Sequence, residues 1–461
     1  MKLRRFLEHK FVRDTATLQV GSLFVSAGNL ASAVLLAHVL GAREQGQYYV
    51  AVTLYSLLWF LLNQGVVGAT VSQVAAASAR GLREKAAAWL AFLAKAYLAI
   101  GAFLVVLGWF LLPKIAALVS PSDAETARAT ARWAFWLTFT PLLEIPRVVL
   151  CAGMQGTRTM LPFARTESAQ EAIRVFLVIA FAIVTDSPEG PVAGMVVASA
   201  LGSLLAIEQY RGARVGREEL LPAPREILAQ FRDVPLLRGL PLGLKLGLCR
   251  SIDAVGVQVL PTLFLQRYGS SEWVAYVRLA QRVMNVPMMF MQGISRTMLP
   301  RLSELAGVQD RERFRATFVK ASLYSGAIIS AGLLVSLALL PFALQLVFPP
   351  EYRQPMWIVS LILTPGLIAL SFSIANDTFY LVTNTLRVAM ILSLIGIVVN
   401  GLVVWHLART WPETGVAWGL SITMFWCVTH YLYAAWYFRT HRGGPSASPD
   451  GPAVSEASGT A

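Results

Sequence analysis

Three charged residues interrupt an apolar stretch, residues 243–260, that is otherwise suited to a membrane. They are Lys245, Arg250 and Asp253. An ionised side chain at mid-bilayer costs roughly 2.5–3.5 kcal/mol on insertion scales, so each charge needs a compensating role. Arg250 and Asp253 are spaced i to i+3, which predicts a pair on one helix face. Lys245 lies too far along the axis to share that carboxylate, which leaves its cation for a ligand or another helix.

The next apolar segment, residues 273–299, carries a longer polar stripe. At 100° per residue, its polar face spans an arc of about 100°. The side chains within this arc are Arg278, Gln281, Arg282, Asn285, Met289, Gln292 and Arg296. Such a stripe is not expected against lipid, so we predict that it faces other helices or a water-filled cavity, with Pro287 kinking the helix. Snorkelling to opposite interfaces is the alternative for Arg278 and Arg296.

Acidic residues accompany the cations of the first half. Glu144 and Arg147 are spaced i to i+3 between two prolines. One face of segment 160–184 carries a second mixed group, which consists of Glu167, Gln170, Glu171 and Arg174. Opposite charges at this spacing are predicted to act as clamps or gates between helices.

Four carboxylates within the apolar segments are candidates for gating or for coupling to a proton or another ion. They are Glu144, Glu171, Asp253 and Asp377. For each of them, a fixed salt bridge is the alternative.

Composition places these residues in a membrane protein. Hydrophobic residues make up 56% of the chain and charged residues 14%, whereas a soluble domain has about 25% charged residues. The net charge of +13 is spread over short clusters between apolar segments, so it indicates topology and not nucleic-acid binding. The three cysteines lack metal-ligand spacing, and the chain has no nucleotide-binding P-loop motif, so we expect no metal and no cofactor.

Apolar segments long enough to cross a bilayer recur along the chain. They are predicted at 16–40, 46–68, 88–112, 132–152, 160–184, 190–209, 239–264, 273–299, 318–347, 355–380, 388–407 and 414–437. The predicted fold class is an all-α polytopic membrane protein of about 12 transmembrane helices. With both termini cytoplasmic, the inner loops hold a roughly threefold excess of Lys and Arg over the outer loops, which favours that orientation.

The two sets of six segments resemble copies of each other. Gly41, Glu44 and Tyr48 recur as Gly269, Glu272 and Tyr276, each 228 residues later. This repeat predicts two six-helix lobes around a central cavity, an architecture of alternating-access transporters. The predicted parts are a cytoplasmic N-terminus (1–15), an N-terminal lobe (16–209), a cytoplasmic connector (210–238), a C-terminal lobe (239–438) and a disordered tail (439–461). The connector is predicted to be either a solvated linker or an amphipathic segment on anionic lipid.

Several short motifs point to a family. These motifs are the loop at 40–48, the Arg250 and Asp253 pair, the Tyr-Val-Arg-Leu run at 276–279 and the Pro-Arg-Leu-Ser run at 300–303. Over residues 12–438 the chain resembles the polysaccharide flippase branch of the multidrug/oligosaccharidyl-lipid/polysaccharide exporter (MOP) superfamily. The resemblance implies a flippase for O-antigen or exopolysaccharide repeat units in a bacterial inner membrane.

The substrate that this resemblance implies is an oligosaccharide on polyprenyl diphosphate. Arginine is suited to bidentate contact with phosphate oxygens. Candidate headgroup contacts are therefore Lys245, Arg250, Arg278, Arg282, Arg147 and Arg174, with Gln281, Asn285 and Gln292 as polar cavity residues. The expected partners are the lipid-linked oligosaccharide, membrane lipids, and a polysaccharide polymerase with its chain-length machinery. No nucleic acid is expected among them.

Other functions stay open at this point. A drug/cation antiporter of the same superfamily is expected to carry an acid in its opening span, and residues 16–40 contain none. A lipid II flippase commonly has fourteen helices. A membrane glycosyltransferase or polymerase needs a long outer catalytic loop, and the longest predicted outer loop is only 113–131. We therefore expect a transporter and not an enzyme.

Overall fold

Helices form every regular element in the part of the chain that the computed structural model describes. It describes residues 10–62, 65–216, 218–236, 255–288, 302, 305, 310–383 and 385–440. The first half contains α1 (Lys10–Val39), α2 (Ala42–Leu62), α3 (Val66–Ala79), α4 (Arg83–Val119), α5 (Ala124–Leu137), α6 (Thr140–Leu143), α7 (Ile145–Gly156), α8 (Met160–Thr185), α9 (Glu189–Arg214) and α10 (Pro224–Ala229). The second half contains a π-helix (Val255–Val259), α11 (Leu260–Tyr268), α12 (Ser271–Met284), α13 (Arg311–Val347), α14 (Pro350–Ser371), a 3-10 helix (Phe372–Ala375), α15 (Asn376–Val382), α16 (Leu386–Thr410), α17 (Gly415–Met424) and α18 (Cys427–Thr440).

The predicted class, an all-α polytopic membrane protein, is confirmed. Among the described residues, six helices are long and apolar enough to cross a bilayer, and a seventh span is formed if the bent unit 124–156 is counted. In α4 the exposed large apolar side chains begin at Leu98 and end at Leu118. Twenty residues of helix cover about 30 Å, the thickness of the hydrocarbon core.

Two long helices extend the sequence repeat. Both α4 and α13 have 37 residues, and α13 begins and ends 228 positions after α4. Each contains one proline, Pro113 and Pro341, at the same offset. The offset of the short loop motifs therefore also relates the bounds of two complete helices.

Breaks divide several of the predicted spans. Gly65 adopts a left-handed conformation (φ 76°) between α2 and α3, so segment 46–68 does not continue as one helix. The chain also bends by 46° between α6 and α7. Pro146, near the start of α7, lacks the N–H that an uninterrupted helix would need.

The prediction of one kinked helix over residues 273–299 is wrong. Helix α12 ends at Met284, and residues 285–288 form turns. Pro287 disfavours helical conformation in the residue before it, which favours a helix end before the proline. Asn285 therefore lies on a turn, where it is exposed, and not on the helical stripe.

The connector packs against the first half of the chain, so the solvated-linker alternative is wrong, whereas the lipid-bound alternative stays a prediction. Helix α9 continues to Arg214, and Leu221 and Ile227 are buried in a cluster with residues of α4. Arg83 makes two hydrogen bonds to the Glu226 carboxylate, at 2.9 and 2.5 Å. Lys95 of α4 donates to the Val234 carbonyl at 2.9 Å.

The described contacts divide the chain into two compact units. The first runs to Leu279 and adds Ala343–Met356 and Trp405–Val416, and the second contains the remainder. The first unit thus includes the ends of several second-half helices. Its boundaries differ from those of the predicted lobes, which remain a prediction.

Candidate functional site

A partly buried ion network joins α7, α8 and α9 in the first unit. Arg147 donates from Nη1 to Glu167 Oε1 and from Nη2 to Glu144 Oε2, both at 2.7 Å. The other oxygen of Glu144 accepts a hydrogen bond from Ser199 Oγ at 2.9 Å. One guanidinium thus bridges two carboxylates, and the predicted pairing of Glu144 with Arg147 is present.

A second network ties α1 to α8. Arg174 donates from Nε to Glu171 Oε2 at 2.9 Å and from Nη2 to Glu171 Oε1 at 2.5 Å. Its Nη2 also donates to Asn29 Oδ1 at 2.8 Å. A β-carbon on Gly28 would lie 3.3 Å from Glu171 Cγ, so glycine lets α1 approach the pair closely. The Nε and Nη2 donors of Arg174 thus both bind the Glu171 carboxylate.

Arg278 occupies a different kind of setting, also within the first unit. Its Nη2 donates to the hydroxyl of Thr53 on α2 at 3.1 Å and to the backbone carbonyl of Gln258 at 2.9 Å. Gln258 belongs to the π-helix, and the same carbonyl accepts from Thr262 Oγ1 at 3.0 Å. Both of these acceptors are neutral oxygens. π-helical turns occur frequently at functional sites.

The start of α2 and the start of α12 approach each other two turns before Thr53 and Arg278. A β-carbon on Gly46 would overlap the carbonyl oxygen of Ser271, so only glycine permits this approach. Nearby, the Ala42 N–H donates to Glu351 Oε1 at 3.2 Å. These contacts bring first-half and second-half segments together inside one compact unit.

A polar contact between side chains lies at the same end of these helices. Gln266 Nε2 donates to Ser120 Oγ at 3.1 Å, and Gln266 Oε1 accepts from Ser271 Oγ at 3.0 Å. Ser120 follows α4 and is buried. By the predicted topology, this end faces the outside of the cell.

The remaining predicted site residues are placed only in part. Gln281 and Arg282 lie on α12 after Arg278, and both are half-buried. Four further residues lie outside the part of the chain that the structure describes, namely Lys245, Arg250, Asp253 and Gln292. Asp377 lies in α15, and its side chain is likewise outside the described part.

Sequence reasoning missed the neutral partners of the arginines. Ser199 and Thr53 contact Glu144 and Arg278 from other helices, and no short spacing in the sequence indicates these contacts. The Gln258 carbonyl accepts from Arg278 in a segment that the sequence presents as ordinary helix. Within the described residues, no group of three or more His, Cys, Asp or Glu side chains is placed to hold a metal ion.

Comparisons with known proteins agree with this architecture. The MatE family profile matches residues 253–405, about a third of the chain. No curated protein matches the sequence.

Solved transporter structures match most of the chain. A structure of the lipid II flippase MurJ in an inward closed conformation aligns with a TM-score of 0.70 at 15% identity, covering 90% of this chain and 86% of that one. An inward-facing multidrug resistance MATE family transporter of the MOP superfamily aligns with a TM-score of 0.67 at 14% identity, covering 90% and 94%. A point mutant of the Vibrio cholerae MATE transporter VcmN aligns with a TM-score of 0.61 at 14% identity, covering 96% and 99%. The chain therefore has the fold of MOP-superfamily transporters.

Proposed function

We propose that this protein is a flippase for oligosaccharide repeat units linked to polyprenyl diphosphate. It moves them from the inner to the outer leaflet of the bacterial cytoplasmic membrane by alternating access, for polysaccharide or O-antigen export. The observation that carries the proposal is the setting of Arg278 on α12, where its Nη2 donates to two neutral oxygens and Arg282 follows one turn later.

The chemistry of the substrate explains why such arginines are needed. A diphosphate cannot enter hydrocarbon without an unpaired-charge penalty of tens of kcal/mol. Guanidinium groups replace water around phosphate oxygens through paired N–H donors. Arg278 and Arg282 then contact the headgroup, whereas the prenyl tail remains in the bilayer.

The first-half arginines receive a separate role in this proposal. Arg147 and Arg174 already bind glutamates, so a phosphate would compete with those carboxylates for the same positive charge. We assign them to the clamps and gates that hold α1, α7, α8 and α9 together. Lys245 and Arg250 keep their proposed headgroup role.

The test is lipid flipping in proteoliposomes. A fluorescent polyprenyl-diphosphate sugar is placed in the membrane, and its exposure to an impermeant quencher measures translocation. We expect the wild type to flip the lipid and Arg278→Ala to flip it at least about tenfold more slowly. Arg128→Ala is the matched control, because Arg128 is exposed and donates within its own helix to the Ala124 carbonyl. Wild-type flipping by Arg278→Ala would remove this residue from the site.

A drug/cation antiporter is the second candidate, and one observation favours it. The two networks contain three glutamates and two arginines, so they carry one carboxylate more than they have guanidinium groups. A surplus carboxylate is suited to a cationic substrate or a proton. Uptake of a cationic dye by proteoliposomes that do not flip the lipid-linked sugar would favour this candidate. If the protein flips lipid II and no other lipid-linked sugar, the result would indicate a lipid II flippase.

A further inference from the structure

We infer that Arg278 is a latch that closes the first unit and that anion binding releases it. This inference rests on the proposed function, because it assumes that Arg278 binds a phosphate-bearing headgroup. It adds a role for Thr53 and for the Gln258 carbonyl, which hold the latch closed.

Both hydrogens of Arg278 Nη2 are occupied in this structure. A guanidinium has five N–H donors, two of them on each terminal nitrogen. Nη2 of Arg278 has its two hydrogens engaged by Thr53 Oγ1 and by the Gln258 carbonyl. Bidentate binding of phosphate uses Nη2 together with either Nη1 or Nε. Either geometry requires that Nη2 give up at least one of these two bonds.

The two bonds link parts of the chain that are far apart in sequence. Thr53 lies on α2 and is 1% exposed, whereas Gln258 belongs to the π-helix after the connector. Two turns earlier, the backbones of α2 and α12 approach at Gly46 and Ser271. The hydrogen bonds of Arg278 thus add to the backbone contact between α2 and α12. Losing them weakens the contact between the two helices.

The consequence is a coupling between ligand and conformation. A ligand shifts an equilibrium only through unequal affinity for the two states. An anion that takes Nη2 binds best when Thr53 or Gln258 has been released, so it favours the unlatched state. The substrate headgroup would therefore open the end of the unit at which Gln266 contacts Ser120.

The test measures binding of inorganic pyrophosphate to the full-length protein by calorimetry. Thr53→Val removes one acceptor of Nη2, so pyrophosphate no longer has to break that bond. We expect binding to tighten by at least about tenfold, the equivalent of one hydrogen bond from a charged donor. Thr70→Val is the matched control, because Thr70 is also buried in the first unit and its hydroxyl has no hydrogen-bond partner among the described residues. The Thr70→Val variant should bind pyrophosphate with the affinity of the wild type.

A second measurement follows the latch itself. In a variant without native cysteines, Ser120→Cys is labelled with a membrane-impermeant maleimide. Pyrophosphate should raise the labelling rate when Arg278 is present and leave it unchanged in Arg278→Ala. Thr53→Val should raise the rate even without pyrophosphate.

The outcomes separate the latch from the proposed function. Unchanged or weaker pyrophosphate binding by Thr53→Val, with binding still lost in Arg278→Ala, overturns the latch and leaves Arg278 as a headgroup contact. Equal binding by the wild type and Arg278→Ala overturns both. Tighter binding by Thr53→Val in a protein that flips no lipid-linked sugar supports the latch and rejects the proposed substrate.

Discussion

Two groups of arginine in this protein differ in what holds them. Arg147 and Arg174 bind glutamate carboxylates, and each ties two helices of the first half together. Arg278 gives its Nη2 to a hydroxyl and a backbone carbonyl. Removing one partner of an ion pair leaves an uncompensated charge, whereas a neutral oxygen released by a guanidinium leaves none. The glutamate bonds of the first group therefore maintain the fold, and the two Nη2 bonds of Arg278 are suited to exchange.

The largest effect is expected where the carboxylate network is broken. Arg147→Ala leaves Glu144 and Glu167 without their shared guanidinium, and both are partly or mostly buried. Loss of one member costs about 3–5 kcal/mol when the pair is fully buried, and this partly buried network sets that range as an upper bound. Thermal unfolding in detergent should show this loss, and adding Glu144→Gln and Glu167→Gln to the variant should recover part of it. A variant as stable as the wild type would show that the network is not structural.

The second-largest loss of stability is expected at the close approach of α2 to α12. Gly46→Ala places a methyl group against the Ser271 carbonyl, and overpacking of this kind costs about 1–3 kcal/mol. Gly68→Ala is the matched control, since Gly68 also lies within a helix and no described atom lies within 4 Å of its added β-carbon. Unfolding of the two variants side by side measures the difference. Equal stability would mean that the two helix starts separate without penalty.

A smaller change in stability is expected from Arg278→Ala, which sharpens the contrast with Arg147. The variant removes one partly buried and one exposed hydrogen bond from Nη2 to neutral oxygens, and a bond with a charged donor is worth about 1.5–3 kcal/mol when buried and less in solvent. These two acceptors carry no charge that the variant would leave uncompensated, so its loss of stability should be below that of Arg147→Ala in the same assay, although its pyrophosphate binding should be abolished. A loss as large as that of Arg147→Ala would place Arg278 among the structural charges.

The smallest effect concerns the exposed ion pair of the connector. Burial alone would raise the pKa of Glu226, but the Ala223 N–H and the Arg83 guanidinium outweigh it and lower the pKa below its ordinary value of 4.5. A lowered pKa stabilises the folded protein above pH 4.5, and this contribution is lost as the pH falls through the folded-state pKa. Between about pH 6 and pH 3, Glu226→Gln should therefore lose less stability than the wild type, by under about 1 kcal/mol. Identical acid profiles would show that the pair contributes nothing.

The sequence predicted the parts of this fold that depend on local composition and spacing. Apolar length identified the membrane class and several of the spans, and the i to i+3 spacing identified the pair of Glu144 with Arg147, whereas Glu171 and Arg174 were predicted only as members of one mixed face. The repeat at 228 residues anticipated the equal bounds of α4 and α13. Each of these features is set by neighbours along one helix.

Contacts between distant segments were beyond the reach of these patterns. Thr53 and Arg278 are 225 positions apart, and a buried threonine in an apolar helix has no distinguishing sequence signal. The end of α12 at Met284 was missed because periodicity continued through Pro287, although the proline ended the helix. The packing of the connector was missed because its six arginines suggested solvent or anionic lipid, whereas Leu221 and Ile227 anchor it against α4.

The most direct measurement of the central claim is the flipping rate of Arg278→Lys in proteoliposomes. Lysine preserves the positive charge but lacks the planar fork that binds two phosphate oxygens together. The proposed role of Arg278 predicts a rate close to that of Arg278→Ala, at least about tenfold below the wild type. Wild-type flipping by Arg278→Lys would contradict bidentate binding of the headgroup by Arg278.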